Sequence, residues 1–203
     1  MTKPTTVPDA VAAAPRTMRA DARRNYQRLL DVAKTAFMER GTEASLEDIA
    51  RRAGVGIGTL YRHFPTRHAL IEAVLDDGFT ALGTLGAELL DAPAPREAMR
   101  TWLRSLMTYS IRFRGLAAEL MVSIQDPASA LYQVCQEMKD AGAALLVRAQ
   151  EAKAIRPDVT SIDLFRLAHG VALAAEKGPT DPAQSDRLLD IVMAGLEYRG
   201  SGG

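Results

Sequence analysis

Apolar residues recur three and four positions apart through most of the chain beyond residue 20, the spacing that places them on one face of a helix. The first clear stripe consists of Leu29, Leu30, Ala33, Ala36 and Phe37. Gly41 follows it and supplies the residue that commonly ends a helix. No segment sustains the alternation of apolar and polar positions that strands show. The pattern therefore predicts an all-α fold with about nine helices.

Two short helices joined by a glycine-containing break are predicted after the first stripe. Ser45 is suited to cap the first of them, and Asp48 stands three residues later, close to the capping-box spacing. Gly54-Val55-Gly56 interrupts the apolar pattern, and the second helix runs from Ile57 to Phe64. Two short helices that cross at a tight turn are typical of a helix-turn-helix.

The rest of the chain has helical patterns separated at proline and glycine residues. Thr66 is expected to cap a long helix from Arg67, and further helices are predicted over residues 99–113, 116–124, 126–153, 160–178 and 181–198. The first 20 residues contain three prolines and little that forms a core, which is typical of disorder. We therefore predict a disordered N-terminal arm, a helix-turn-helix DNA-binding domain and a C-terminal helical domain, at residues 1–20, 21–69 and 70–203.

The charge is unevenly distributed along the chain. The totals are 25 basic and 25 acidic residues, but residues 1–67 contain 12 Lys and Arg against 7 Asp and Glu. This basic excess favours a polyanion as the binding partner of residues 1–67 only. Chance variation of surface charge produces the same uneven distribution. The start lacks a secretory pattern, no window has the ~20 apolar residues of a membrane span, and Cys135 has no disulfide partner. These features predict a cytoplasmic protein without a membrane partner.

The free face of the second short helix carries the candidate DNA contacts. A docked recognition helix meets base edges with its first residues, where glycines allow a close approach of the backbone. Thr59 offers a hydroxyl and a methyl group, and Ile57 offers an apolar surface suited to a thymine methyl. The predicted DNA-binding residues on and beside this face are Ile57, Gly58, Thr59, Tyr61, Arg62, His63 and Arg67.

Four motifs follow one another at dense spacing within residues 23–70: Phe37-Met-Glu-Arg-Gly41, Ser45-x-x-x-Ile-Ala50, Gly54-Val-x-x-x-x-Leu-Tyr61-x-His-Phe64 and Arg67-x-x-Leu70. Together they resemble the N-terminal domain of TetR-family transcriptional regulators. The resemblance implies three DNA-binding helices and a C-terminal domain that binds a small ligand and forms a homodimer, with repression as the default. By position match it implies DNA contacts from Ser45, Thr59, Tyr61, His63 and Arg67.

Several charged residues near this region have two interpretations. Some family members read a base from the position of Glu47, but a carboxylate accepts only from a cytosine amino group and is otherwise a solvated charge at a helix start. Arg51 and Arg52 either contact phosphates or are merely solvated. Four arginines of the N-terminal region either enter an adjacent minor groove or only solubilise the tail; they are Arg16, Arg19, Arg23 and Arg24.

The C-terminal two-thirds contains Met and aromatic residues that suit an adaptable ligand pocket between helices, and equally suit a core. Gln125 and His169 are the polar candidates for anchoring an unknown small-molecule effector, and a lone histidine on an apolar helix is also a common core residue. The predicted pocket residues are Trp102, Leu106, Phe113, Met121, Gln125, Cys135, Met138 and His169.

The last two predicted helices are apolar enough to form a dimer interface. The helix over residues 160–178 is apolar nearly all round, and the last helix has a continuous apolar stripe, with Ala194 and Gly195 allowing close approach. The resemblance to the TetR family implies that these two helices pair with the same helices of a second subunit. A two-fold dimer would present two recognition helices to half-sites about one DNA turn apart, which predicts a roughly palindromic operator.

Two other function classes compete with a DNA-binding regulator. An enzyme would need a nucleophile, a nucleotide loop or a metal cluster, yet His63 and His68 lack the spacing of a helical metal pair and Cys135 has no evident partner. We therefore predict no catalysis, no metal and no cofactor. A ligand-binding module that has lost DNA binding is the other alternative, and the intact basic face of the helix-turn-helix argues against it.

Overall fold

The computed structural model describes residues 14–113, 116, 121–174 and 182–198. Nine α-helices and a 3₁₀ turn over Gly41–Glu43 lie within these residues. The helices are α1 (Ala14–Arg40), α2 (Leu46–Arg52), α3 (Ile57–His63), α4 (Arg67–Leu89), α5 (Pro95–Arg112), α6 (Met121–Gln125), α7 (Ala130–Glu151), α8 (Ser161–Ala174) and α9 (Pro182–Leu196). The described part of the chain contains no strand, only one isolated bridge between Ile155 and Glu197. The prediction of an all-α fold is confirmed.

Local capping interactions set several helix starts where the sequence indicates them. The Ser45 hydroxyl accepts a hydrogen bond from the Asp48 N–H at 3.2 Å, and the Thr66 hydroxyl accepts one from the Ala69 N–H at 3.0 Å. Such caps satisfy N–H groups that the first turn leaves unpaired and contribute about 1 kcal/mol each. Because the partners are only three residues apart, the sequence alone locates these helix starts.

The first helix begins earlier than predicted. Residues 14–20, assigned above to a disordered arm, belong to α1. Pro15 lies in its first turn, where a missing N–H removes no helical hydrogen bond. Ala, Met and Arg follow, which are good helix formers that extend a helix anchored further on. Residues 1–13 lie outside the described residues.

Two other helix starts also differ from the prediction. The helix expected from residue 99 begins at Pro95, a favoured first helical residue. The helix expected from residue 126 begins at Ala130 instead. Asp126 accepts a hydrogen bond from the Ala128 N–H at 2.9 Å, forming a turn, and the Ser129 side chain caps the helix by accepting from the Leu131 N–H.

Buried residues form two hydrophobic cores that meet along α4. The N-terminal core joins the apolar faces of α1, α2 and α3 to the first two turns of α4, and it also contains Phe113, Leu116 and Leu131. The C-terminal core surrounds the fully buried Trp102. Phe79 and Tyr109 pack against both cores. Helix α4 therefore connects the helix-turn-helix mechanically to the C-terminal helices.

The middle of the C-terminal core is built by close packing of α4, α5 and α7. The Trp102 indole N–H donates a hydrogen bond to the Leu82 carbonyl at 3.0 Å. A Cβ atom at Gly142 would lie 2.3 Å from a Trp102 ring carbon, so the indole fits only because α7 has a glycine there. No helix among the described residues has the length and apolarity needed to cross a membrane.

Candidate nucleic-acid interface

Helices α2 and α3 form the helix-turn-helix around one left-handed residue. Gly54 has a φ of +69°, a conformation that costs other residues about 1 kcal/mol or more. The Val55 N–H donates to the Ala50 carbonyl at 3.0 Å and closes the turn. Ile49 and Leu60 are both fully buried beneath it. This packing turns the opposite face of α3 outward.

The outward face of α3 carries large side chains that stay partly exposed. Ile57 and Tyr61 are 37% and 45% exposed although both are large and apolar in part. A Cβ atom at Gly56 or Gly58 would meet nothing within 4 Å, so the fold itself does not need glycine at either position. Glycine inside a helix costs about 1 kcal/mol. Gly56 is the N-cap of α3, where glycine is tolerated, so the bare position at Gly58 is the one that makes sense as clearance for a surface that approaches from outside.

Thr59 and His63 are only half exposed and lie at the edges of this face. The His63 ring stands edge-on to Tyr26, with ring centres 5.9 Å apart. Tyr26 in turn stacks on the buried Phe64 at 5.0 Å. Burial, followed by the nearby Asp76 and Asp77 carboxylates, raises the pKa of the Tyr26 phenol. This aromatic group fixes the end of α3 against α1.

Ser45 and Glu47 are joined at the start of α2. The Ser45 hydroxyl donates to a Glu47 carboxylate oxygen at 2.9 Å while it accepts from the Asp48 N–H. The pKa of the Glu47 carboxyl is lowered, first by its own backbone N–H and then by the Ser45 hydroxyl. An exposed carboxylate held ionised at a helix start has the properties of a solvated helix-start charge. Its use as a base reader stays without support.

Arg67 turns inward, which the sequence did not reveal. Its guanidinium donates to the Ala44 and Thr42 carbonyls at 2.6 Å each and lies 6.0 Å above the Phe37 ring. These bonds tie the start of α4 to the segment between α1 and α2. A phosphate would have to compete with both carbonyls for this guanidinium, and the expected DNA contact from Arg67 stays a prediction.

The other candidate cations differ in how they are paired. Arg24 forms an ion pair with Asp21, and Arg52 lies 3.0 Å from the Glu39 carboxylate. Arg23 and Arg62 are exposed and form no ion pair within the described residues. Arg62 is thus an exposed charge on the outward face of α3, with no ion-pair partner among the described residues.

Among the described residues, the predicted ligand-pocket residues are divided between the two cores and the surface. Trp102, Leu106, Cys135 and Met138 are buried in the C-terminal core, while Phe113 belongs to the N-terminal core. Gln125 and His169 are exposed instead of facing either core. The Met121 side chain lies outside the described residues. Core packing, the alternative left open by the sequence, accounts for the buried members.

A serine, a histidine and a glutamate meet where α4 touches α6. The Ser123 hydroxyl donates to a Glu72 carboxylate oxygen at 2.7 Å, and His68 Nε2 lies 3.1 Å from the same hydroxyl. Because the single hydroxyl proton goes to Glu72, His68 acts as a donor to Ser123 and not as its base. The cluster ties α6 to α4. Among the described residues, no group of His, Cys, Asp and Glu is arranged to hold a metal ion.

Comparison with known proteins agrees with this geometry. Residues 29–74 match the profile of bacterial regulatory proteins of the tetR family, and residues 94–198 match the C-terminal domain of SbtR-like transcriptional regulators. The second match alone covers more than half of the chain. The chain belongs to the TetR family of transcriptional regulators.

Two solved structures resemble this TetR-family regulator over most of its length. A TetR regulator from Streptomyces coelicolor is 38% identical, with a TM-score of 0.69 over 86% of this chain and 99% of its own. A TetR regulatory protein from Mycobacterium vanbaalenii is 32% identical, with a TM-score of 0.62 over 89% and 99%. Both support the same arrangement of an N-terminal helix-turn-helix and a C-terminal helical domain.

A curated relative shares a shorter stretch. The transcriptional repressor KstR2 of Rhodococcus jostii is 40% identical over 78 residues, which is 36% of this chain and 38% of the repressor. The match therefore spans well under half of that relative's length. As a member of this family, the protein is a DNA-binding transcriptional regulator; the family forms dimers, and its members are regulators and not enzymes.

Proposed function

We propose that this regulator is a repressor that binds a palindromic operator as a homodimer, reads DNA with α3, and is released by a small-molecule ligand. The observation that carries the proposal is the outward face of α3, which presents Ile57, Tyr61 and Arg62 while the opposite side of the same helix buries Leu60 completely. A helix supported in this way enters a major groove without rearrangement of the core.

The outward face suggests modest reading of bases and strong use of phosphates. Ile57 and the Thr59 methyl suit thymine methyl groups, whereas the Tyr61 hydroxyl and the exposed Arg62 guanidinium suit phosphate oxygens. Ser45 and His63 are proposed as further backbone contacts. Gly58 takes part by allowing close approach. Arg23 and Arg24 on α1 are exposed cations that we propose extend the contact beyond α3.

The proposed dimer interface is the exposed side of α8 and α9. Ile162 is 58% exposed and Leu167 44% exposed on α8, and Ile191 is 63% exposed on α9. The same helices bury Leu164, Ala168 and Leu189 on their inner sides, so each is apolar on two faces. Large apolar residues that stay exposed on adjacent helices typically mark a protein partner.

Ion pairs fix the position of α9 relative to α5. Asp186 and Asp190 of α9 receive Arg104 and Arg100 at 2.6 and 2.8 Å, and Arg96 reaches Glu197 at 2.6 Å. These exposed pairs contribute little energy individually. Repeated along the helix, they define which side of α9 faces outward, and that side carries Ile191. The interface we propose is therefore presented in one orientation.

Footprinting on a genomic fragment selected by the protein tests the DNA part of the proposal. We expect protection of two half-sites about one helical turn apart, related by a two-fold axis. Protection of a single half-site would contradict a dimeric repressor.

Two further parts of the proposal are the domain boundary between residues 69 and 70 and the cytoplasmic location of the protein.

Sedimentation equilibrium of two variants tests the interface. Ile191→Glu places a charge in the proposed contact, and Val147→Glu places one at a residue of similar exposure, 52%, on α7. We expect Ile191→Glu to be monomeric at concentrations where the wild type and Val147→Glu are dimers. An Ile191→Glu protein that stays dimeric would place the interface elsewhere.

A further inference from the structure

A groove with a volume of about 390 Å³ runs between α4 and α5. Its α4 wall is formed by Gly78, Ala81, Leu82 and Leu85, which follow helical spacing and are all apolar. The groove is separate from the α8–α9 surface proposed for dimerisation. Among its described lining residues, Phe113 is the one that the sequence suggested for a ligand pocket.

The α5 wall is polar and basic. Arg104, Thr108 and Arg112 stand four residues apart along it, so the backbone positions of the two arginines are separated by about 12 Å along the helix. Arg104 is partly neutralised by Asp186 at 2.6 Å, whereas Arg112 has no ion-pair partner among the described residues. None of the described lining residues is acidic. The groove therefore has one apolar wall and one wall on which the described residues leave a positive charge near Phe113 without an ion-pair partner.

The floor of the groove has a fixed shape. The Tyr109 hydroxyl donates to the Leu75 carbonyl at 3.0 Å, so its ring is held in place. A Cβ atom at Gly78 would lie 1.9 Å from a Tyr109 ring carbon, so this ring position requires glycine opposite it. Phe113 stacks beside Tyr109, with ring centres 5.0 Å apart. A ligand in the groove would rest on these two rings.

We infer that this groove binds an amphipathic organic monoanion, with its carboxylate at Arg112 and its hydrocarbon chain along the α4 wall. Charge complementarity argues for the anion, because Arg112 is an exposed charged donor beside apolar surface and has no ion-pair partner among the described residues. The apolar wall argues for the chain, because burial of hydrocarbon against it is favourable. The inference deepens the proposed function, since such a molecule would be the small-molecule effector.

Binding of decanoate to the full-length protein without DNA tests the inference. Trp102 is the only tryptophan, and its indole N–H is bonded to Leu82 in the groove wall, so its fluorescence reports on occupancy. Titrations use decanoate below its micelle concentration and decan-1-ol as the uncharged counterpart, with calorimetry as a second readout. We expect decanoate to bind the wild type at least about tenfold more tightly than decan-1-ol.

Three variants locate the site. Arg112→Gln removes the charge and is expected to weaken decanoate binding by about tenfold or more. Arg100→Gln is the matched control, because Arg100 lies on the same helix but pairs with Asp190 and does not line the groove. It should bind as the wild type does. Ala81→Phe fills the groove from an exposed position and should abolish binding.

The inference is overturned if decanoate does not bind, if decan-1-ol binds equally well, or if Arg112→Gln or Ala81→Phe binds like the wild type. Operator binding by the same preparations is measured in parallel by gel shift. If the groove does not bind decanoate, the operator complex still forms in the gel shift. If the proposed function is wrong, the operator complex is absent.

Discussion

Replacement of Arg67 by alanine tests whether this side chain supports the fold or contacts DNA. The guanidinium makes charged hydrogen bonds to the Ala44 and Thr42 carbonyls and lies over Phe37. Bonds from a charged donor contribute about 1.5–3 kcal/mol each, but the site is only partly buried, so water replaces part of what is lost. We expect the free energy of unfolding, measured with urea, to fall by about 2 kcal/mol.

Arg62→Ala is the control with the opposite expectation. Arg62 is exposed on the outward face of α3 and makes no ion pair in the described part of the chain. Its loss should change the free energy of unfolding by less than about 0.5 kcal/mol. It should instead weaken operator binding and lower the salt-dependence slope of the binding constant by about one.

Comparison of the two variants tests the assignment of Arg67 to a structural role. Arg67→Ala should leave the salt slope unchanged, since its charge is used within the protein. A slope reduced by about one with unchanged stability would show that Arg67 is a phosphate contact after all. Gel shifts over a series of salt concentrations, on folded protein as judged by circular dichroism, give the measurement.

Further predictions concern the reading face and the C-terminal core. Thr59→Ala should relax the preference for the operator over scrambled DNA, while Tyr61→Phe should weaken binding to both alike; identical profiles in matched gel shifts would contradict this division. Gly142→Ala should destabilise by about 1–3 kcal/mol in urea unfolding, because the added carbon lies 2.3 Å from the buried Trp102 ring; wild-type stability would show that α7 shifts freely. Burial raises the pKa of the Cys135 thiol, so it should stay protonated and resist iodoacetamide at pH 8 until the protein is unfolded; rapid labelling of folded protein would count against that burial.

The fold class and the helix-turn-helix were predictable because their signals are local. The Ser45 and Thr66 caps each join groups three residues apart, and the left-handed turn needs only Gly54. The outward face of α3 follows from helical spacing once Leu60 is assigned to the core. These relations are short enough in sequence for pattern alone to reveal them.

Other features depend on residues that are distant in sequence. Arg67 finds its carbonyl partners more than twenty residues earlier, and its charge alone gave no indication of that. Trp102 and Met138 had the composition of a pocket, but the close approach of α5 and α7 at Gly142 makes them core. A hydrophobic side chain has no sequence signal that distinguishes filling a core from lining a cavity.

The sequence by itself therefore determined the all-α fold class, the helix-turn-helix and the caps of α2 and α4, since the signals for these lie within a few turns of chain. Only the tertiary structure decided which cations stay free and where a cavity remains. Arg112 and the α4 wall form a groove because α4 and α5 pack with Tyr109 against Gly78, two residues that are more than thirty positions apart in sequence. Such spacing between helices is set by the shapes of facing side chains, and that complementarity exists only after the chain has folded.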